Sequence, residues 1–585
     1  LRHAGATGRS APVRAKWIIE QANVFIVRSL GSAILGIETN DSVSLLPKPF
    51  SPHRSENRRR PAMPRFAPRP TQIASGIALL IASVSPSHAQ TVLNGTTFTV
   101  HELVGVGRMA ANLRDEHGET FGSISGLVAD EASWQRNGSI YSGIFYAAPD
   151  RGYNIAGTID YTARLNRIAV SFTPAATGAT GLGQNQIGLS LTQSTLLFET
   201  LPGGGQRPFS GIDPKPGGVA TGGARAATGS LPELPQGYNG KLSLDAEGIV
   251  LLPDGSRFVS DEYGPSVYRF SSGGEFLGAL PVASSVRPIR NGVTDYSSNN
   301  ATVGQPAPTP GNPSFGRQNN QGFEGLSISP DGQTLFVALQ SAARQDGGTG
   351  GTSSTRNNTR LFTYDISDLD AITLTGEYVV QLPKFQQGTS TLVAAQSEVL
   401  ALSDTQLLIL PRDSNGFQVG LQQSQLRRVD VIDISAATNI LGESFEATIA
   451  PGGVLNAAIA PAEYASFLNI NDNAQLGRFG LVNGVVPGLD NLSEKWEGMV
   501  LLSTLEPEKP NDYFLFVAND NDFATTDGFH AGAAYNDGKD IDTMFLAYRV
   551  TIAPVPEPGT YGLLLVGLAG LAGAVRGRRG ASRQR

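Results

Sequence analysis

Asp245-Ala246-Glu247-Gly248-Ile249 is followed by Pro253-Asp254-Gly255 and then by Arg257-Phe258-Val259-Ser260-Asp261-Glu262. The stretch reads as strand, turn, strand. Proline presets φ and glycine accepts φ > 0, so Pro-Asp-Gly between two apolar runs is a hairpin turn with a mechanism. The same plan returns along the chain. Gly322-Phe323-Glu324-Gly325-Leu326 leads through Pro330-Asp331-Gly332 to Leu335-Phe336-Val337-Ala338. Gln396-Ser397-Glu398-Val399-Leu400 leads to Leu407-Leu408-Ile409-Leu410-Pro411-Arg412-Asp413, and Lys495-Trp496-Glu497-Gly498-Met499 to Phe514-Leu515-Phe516-Val517-Ala518-Asn519-Asp520. A looser first copy, Ile124-Ser125-Gly126-Leu127 with Ile144 to Arg151, has Ser125 where the others have Glu.

Third strands follow at 266–270, 360–366, 428–434 and 543–550, and fourth strands at 275–282 and 377–382. Four-stranded units in series stack radially as propeller blades, which leaves only short edges exposed. The expectation is an all-β fold, a β-propeller with five countable four-stranded repeats and long inserted loops. The last unit lacks a fourth strand, and Thr96–Val104 is placed to supply it and close the ring. The Glu positions lie 77, 74 and 99 residues apart, longer than blades of about 40–50 residues. The stretches 203–240, 306–320 and 347–358, rich in small and polar residues, are expected loops. The stretch 442–494 reads equally as an insertion or a sixth blade, so the ring is five- or six-bladed.

The chain has 585 residues and a net charge of −7. Basic flanks hide an acidic body, for residues 90–555 carry about −19. Such a body lacks the basic footprint that nucleic acid needs, so no nucleic-acid partner is expected. It suits cations. With no cysteine, disulfides, thiolate metal sites and cysteine nucleophiles are excluded. No G-x-S-x-G, G-x-x-x-x-G-K-[ST] or H-E-x-x-H pattern occurs, which removes the common serine-hydrolase, phosphate-loop and zinc-peptidase readings.

Two segments read as addresses rather than structure. Arg65 and Arg69, the apolar run 73–84 and the small residues before Gln90 make a secretory signal peptide over 63–89. Residues 1–62 are then an upstream extension, and the folded domain covers 90–553. Near the other end, Pro556-Glu557-Pro558, the apolar run 559–575 and Arg576, Arg578 and Arg579 resemble the PEP-CTERM sorting signal of Gram-negative bacteria. The run just reaches across a membrane, and its Arg cluster stays cytoplasmic. That resemblance implies an exosortase-type sorting protease and signal peptidase as partners, with the cell envelope, surface or matrix as destination. A permanent membrane anchor is the alternative.

The body itself resembles the phytase-like family named for esterase-like activity of phytase. The likeness is carried by Asp-Ala-Glu-Gly at 245–248, Gly-Phe-Glu-Gly-Leu at 322–326, Asp261-Glu262-Tyr263-Gly264-Pro265 and Pro411-Arg412-Asp413, and it covers most of 120–550. It implies a propeller and, less directly, ester hydrolysis.

The repeat suggests a site on its own terms. Glu247, Glu324, Glu398 and Glu497 start the first strand of their units, innermost in a propeller. Asp150, Asp261, Glu262, Asp413, Asp520 and Asp522 follow the second strand. Antiparallel pairing gathers both sets at one rim. Two such charges about 5 Å apart repel by about 3 kcal/mol at an effective dielectric of about 20, so a cation, an arginine or raised pKa values must offset them. Calcium takes six to eight oxygen ligands and needs neither Cys nor His. The expected metal ligands are therefore Glu247, Asp261, Glu262, Glu324, Glu398, Asp413, Glu497, Asp520 and Asp522. Arg151 and Arg412 are expected to stabilise anionic charge, and His530 to act as a general base. Asp537, Asp540 and Asp542 offer a peripheral calcium loop. The competing expectation is that each Glu accepts backbone N–H bonds from the next blade and glues the ring. The substrate class would be a small phosphate or carboxylic ester. A non-catalytic propeller holding an extracellular glycan or protein is the alternative.

Overall fold

The computed structural model describes residues 90–153, 157–298, 306–347, 353–417, 423–486 and 488–555. The expected extension 1–62, the signal peptide 63–89 and the apolar helix 559–575 lie outside them. No helix among the described residues is long and apolar enough to cross a membrane.

Five antiparallel sheets form the blades, each listed here from its inner strand outward. Blade 1 comprises Gly126–Asn137, Ile140–Ala148, Arg164–Phe172 and Ile187–Leu196. Blade 2 comprises Ala246–Leu251, Arg257–Asp261, Ser266–Phe270 and Phe276–Ala279. Phe323–Ile328, Thr334–Leu339, Asn358–Asp365 and Thr373–Gln381 make blade 3. Ala395–Ala401, Gln406–Arg412, Arg428–Asp433 and Glu463–Asn469 make blade 4. Blade 5 takes Lys495–Ser503, Asp512–Asp520 and Thr543–Pro554 from the C-terminal side, then Thr96–Met109 and Gln90–Leu93 from the N-terminal side.

Each inner strand lies beside the next, and that of blade 5 returns to blade 1, so the ring closes with five blades. The stretch 442–494 is not a sixth blade. It is an insertion that supplies the outer strand of blade 4 on the way, and a small apolar cluster of Ile440, Ile449 and Ile459 pins it against Val379 of blade 3. The N-terminal strand does close the last blade, in register from Thr96 opposite Pro554 to Met109 opposite Thr543.

Five apolar clusters fill the five gaps between neighbouring blades. Blades 1 and 2 meet through Leu165, Phe209 and Phe270, blades 2 and 3 through Phe258, Leu335 and Phe362. Blades 3 and 4 meet through Phe336, Leu361 and Ile432, blades 4 and 5 through Leu408, Val431 and Phe98, and blades 5 and 1 through Phe516, Phe145 and Phe172. Full burial of such side chains stabilises by about 1.5–3 kcal/mol each. Phe98 comes from the closing strand and meets Phe467 of blade 4 edge-on at 5.5 Å. We expect Phe98→Leu to lower stability by about 1–2 kcal/mol, read as a shift in urea midpoint at constant slope. An unchanged midpoint would mean that the seam carries no load.

The Glu-Gly repeat has two local causes. In blades 2 to 5 the inner strand carries one extra residue against its partner at the Glu, between Ala246 and Ile249, Phe323 and Leu326, Gln396 and Val399, and Trp496 and Gly498. Such a bulge re-aims a side chain. Blade 1, with Ser125, has no bulge there. The glycines reflect close approach of neighbouring inner strands. A Cβ on Gly126 would lie 2.0 Å from Glu247 O, and one on Gly248 would lie 2.5 Å from Leu326 Cβ.

Candidate functional site

The strand starts and ends named above meet at one end of the central channel. Asp150, Asp245, Glu247, Glu262, Glu324, Glu398, Glu494, Glu497 and Asp520 are all buried there, and Asp522 is half-buried. The opposite end is largely aliphatic, with Asp130 and Glu131 also in its lining. A cavity of about 550 Å³ is lined by aliphatic residues of all five inner strands, including Leu127, Ile249, Leu326, Leu400 and Leu501. The close groups of carboxyls lie at the first end. Loops lock over it. The fully buried Arg317 donates to Tyr263 O (2.8 Å) and Tyr296 O (2.6 Å), and Tyr263 Oη donates to Asp213 Oδ1 (2.6 Å).

Two groups of three carboxyls have oxygens within 4.8 Å of one another: Asp245, Glu247 and Glu262, and Asp150, Asp520 and Asp522. In the first, burial holds the Asp245 carboxyl well above, and the Glu262 carboxyl above, the usual carboxylate range, against the pull of the nearby Arg151. Burial, then repulsion from Glu324, holds Glu247 well above the usual carboxylate range. Arg151 stands beside this group. Its backbone N–H donates to Asp245 Oδ1 (3.1 Å), and its Nη1 lies 3.6 Å from Asp245 Oδ2, 3.4 Å from Asp213 Oδ1 and 2.6 Å from Asn320 Oδ1. In the second group, Lys495 Nζ donates to Asp520 Oδ2 (3.1 Å) and Asp522 Oδ1 (2.6 Å). Burial, then Asp520, pushes Asp150 well above its ordinary value.

The remaining expected residues take other parts. Asp261 does not face the channel group. It accepts from the backbone N–H groups of Asp245 (3.1 Å), Tyr263 (3.1 Å) and Gly264 (2.8 Å) and from Tyr268 Oη (3.2 Å), a full set that leaves it a turn-holding role. Asp413 likewise holds its own loop, through Gln425 N (2.6 Å) and Leu426 N (3.2 Å). Glu398 accepts Leu326 N and Val399 N at 2.9 Å each, so it does glue blade 4 to blade 3. Arg412 pairs with Glu497 and donates to Ser397 Oγ (2.8 Å). Glu324 is held by Gln340, and its Oε2 has no hydrogen-bond partner among the described residues.

His530 is a correction. Its Nδ1 accepts Tyr153 N (3.2 Å), its Nε2 meets Thr120 O (3.1 Å), and Tyr161, Phe523 and Tyr535 surround the ring. Burial lowers its pKa to about 4. Both nitrogens are engaged, so it is a neutral structural histidine rather than a base. The peripheral calcium loop also dissolves. Tyr153 Oη donates to Asp537, Asp540 accepts from Thr525 and Thr526, and Asp542 pairs with Arg108.

Sequence reasoning missed Asp245, Asp213, Glu494 and Lys495. Asp245 and Lys495 each stand two residues before a repeat Glu, and that spacing was their available signal.

Residues 119–523 match the family model described as "Esterase-like activity of phytase", and residues 554–579 match the PEP-CTERM protein-sorting motif. An uncharacterized secreted protein of Arthroderma benhamiae is 36% identical over 477 residues, 76% of this chain and 91% of that protein. Among solved structures, a PQQ-bound aldose sugar dehydrogenase of Streptomyces coelicolor overlaps 78% of this chain and 98% of its own at 10% identity and a TM-score of 0.24. A gluconolactonase of Xanthomonas campestris overlaps 79% and 100% at 9% identity and a TM-score of 0.22. Overlaps this loose do not bear on the chemistry.

Proposed function

Because the chain belongs to the phytase-like family, described by esterase-like activity of phytase, and carries a PEP-CTERM sorting motif, we propose that it is an exported, surface-sorted hydrolase of phosphate or carboxylic esters that uses calcium. The observation that carries this reading is the buried group Asp245, Glu247 and Glu262, with its oxygens within 4.8 Å. Oxygen donors alone fit a hard cation. Bound there, calcium would polarise an ester oxygen and lower the pKa of a water. Arg151 is positioned by Asp213, Tyr263 and Asn320 and stays partly open, so its guanidinium orients a negatively charged group and stabilises charge that develops beside it. Arg412, tied to buried Glu497, has less freedom for that role. The acidic body disfavours a dense polyanion such as free phytate. The sorting motif supports recognition by an exosortase-type protease.

Calcium at 100 times its Kd adds about 2.7 kcal/mol of stability. In a domain of this size that is a rise of about 3–5 °C in melting temperature over chelator-treated protein. We expect Glu247→Gln to abolish the rise and ester turnover together, in a panel of carboxylic and phosphate esters. Equal melting in calcium and chelator would sink the metal reading. Glu398 favours a second reading, a non-catalytic propeller binding glycan or protein, because its carboxylate is spent on ring contacts. Calcium binding without turnover of any ester would select it.

A further inference from the structure

We infer that the rim contains two cation sockets and that Lys495 permanently fills one, so the wild-type protein takes one exchangeable divalent ion there rather than two. The inference rests on the calcium reading above and sharpens it. Both sockets have the same composition, three carboxyls with oxygens within 4.8 Å. They differ in what neutralises them.

In the Asp150, Asp520 and Asp522 socket, the protein supplies its own cation. Lys495 stands opposite Asp520 in the pairing of the first two strands of blade 5, which brings its ammonium to 3.1 Å from Asp520 Oδ2 and 2.6 Å from Asp522 Oδ1. An ammonium at such distances occupies the space a calcium ion would need between the same oxygens.

The Asp245, Glu247 and Glu262 socket has no such occupant. Arg151 approaches one of its three carboxyls, at 3.6 Å from Asp245 Oδ2, while its close bond goes to Asn320. A second observation points to a ligand on this side. Glu324 is 2% exposed, its Oε2 has no hydrogen-bond partner among the described residues, and it repels Glu497 as well as Glu262 and Glu247. Such an oxygen is costly to bury unless something cationic meets it.

The test is calorimetric titration of the chelator-treated exported protein with calcium chloride. We expect a stoichiometry of one for wild type, one for Lys495→Arg and two for Lys495→Gln, with circular dichroism checking that each variant is folded. Two further variants keep the lysine. Asp522→Asn should leave affinity within about twofold, and Glu247→Gln should weaken it by more than about tenfold. Two ions in wild type, one ion in folded Lys495→Gln, or lost binding in Asp522→Asn would each overturn the inference. If wild type binds none and Lys495→Gln binds one, the calcium reading fails while the role of Lys495 as the resident cation stands. Should Lys495→Gln not fold, the Asp522→Asn and Glu247→Gln pair decides.

Discussion

Replacing Arg412 with Met is expected to cost about 3–5 kcal/mol, and adding Glu497→Gln is expected to restore most of it. The guanidinium and the Glu497 carboxylate are both buried and paired, and Arg412 also holds Ser397 Oγ at 2.8 Å. The second oxygen of Glu497 has no hydrogen-bond partner among the described residues. Removing the arginine therefore leaves a buried carboxylate without its paired donor, whereas removing both charges leaves a neutral amide in a tight pocket. Urea denaturation of the two single variants and the double variant gives the coupling directly. Losses that merely add would show that the pair is not one unit. A folded Arg412→Met of normal stability with lost ester turnover would instead place Arg412 in catalysis.

The second large effect is on pH. In calcium-free protein, stability should fall from about pH 4 to about pH 7, the reverse of the usual acid sensitivity. Burial first, with Asp522 adding to it, pushes Glu494 up to about 7, and burial pushes Asp261 up to about 7 against its backbone hydrogen bonds. A carboxyl raised in the folded state gives its full stability below the unfolded value near 4 and loses it as pH climbs through the folded value. Asp150, Asp245, Glu247, Glu324 and Glu398 shift in the same direction, each mainly through burial, and outnumber His530, whose pKa lowered to about 4 acts the opposite way over the same window. Calcium needs ionised ligands, so its stabilisation should grow over the same window and flatten the decline. Thermal melts at pH 4.5 and 7.5, with calcium and with chelator, make a four-way comparison. A calcium-free protein that melts higher at pH 7.5 would contradict this account.

The propeller was legible because its repeat is written in residues with strict local duties. Glu247-Gly248 and Glu324-Gly325 mark bulges pressed against the next inner strand, and no side chain can replace those glycines without a clash. The closing strand was legible from a vacancy, since the last unit had three strands and 96–104 alternates suitably. The five-or-six question was not legible. Glu463–Asn469 is a strand embedded in an insertion, and nothing in its composition says which sheet it joins. Within the site, the repeat revealed which acids gather but not which are already satisfied. Asp261 and Asp413 look like Glu262 and Asp520 in sequence, yet backbone N–H groups from their own turns saturate them. Asp213 arrives from the loop 203–240, where no periodicity signals a destination. His530 read as a general base, and its burial depends on Tyr161, nearly 370 positions away in sequence.

The seam of blade 5 also has a mechanical meaning. The strand Thr543–Pro554 is sandwiched between Asp512–Asp520 and Thr96–Met109 and is antiparallel to both. The sorting motif begins at the outer end of that strand. A pull along the strand from that end must slide it past two neighbours at once, so the backbone hydrogen bonds from Thr96–Pro554 to Met109–Thr543 resist together in shear instead of opening one by one. The blade that the two chain ends build jointly is thus a clamp. Tension applied at that end would load this clamp before the other four blades.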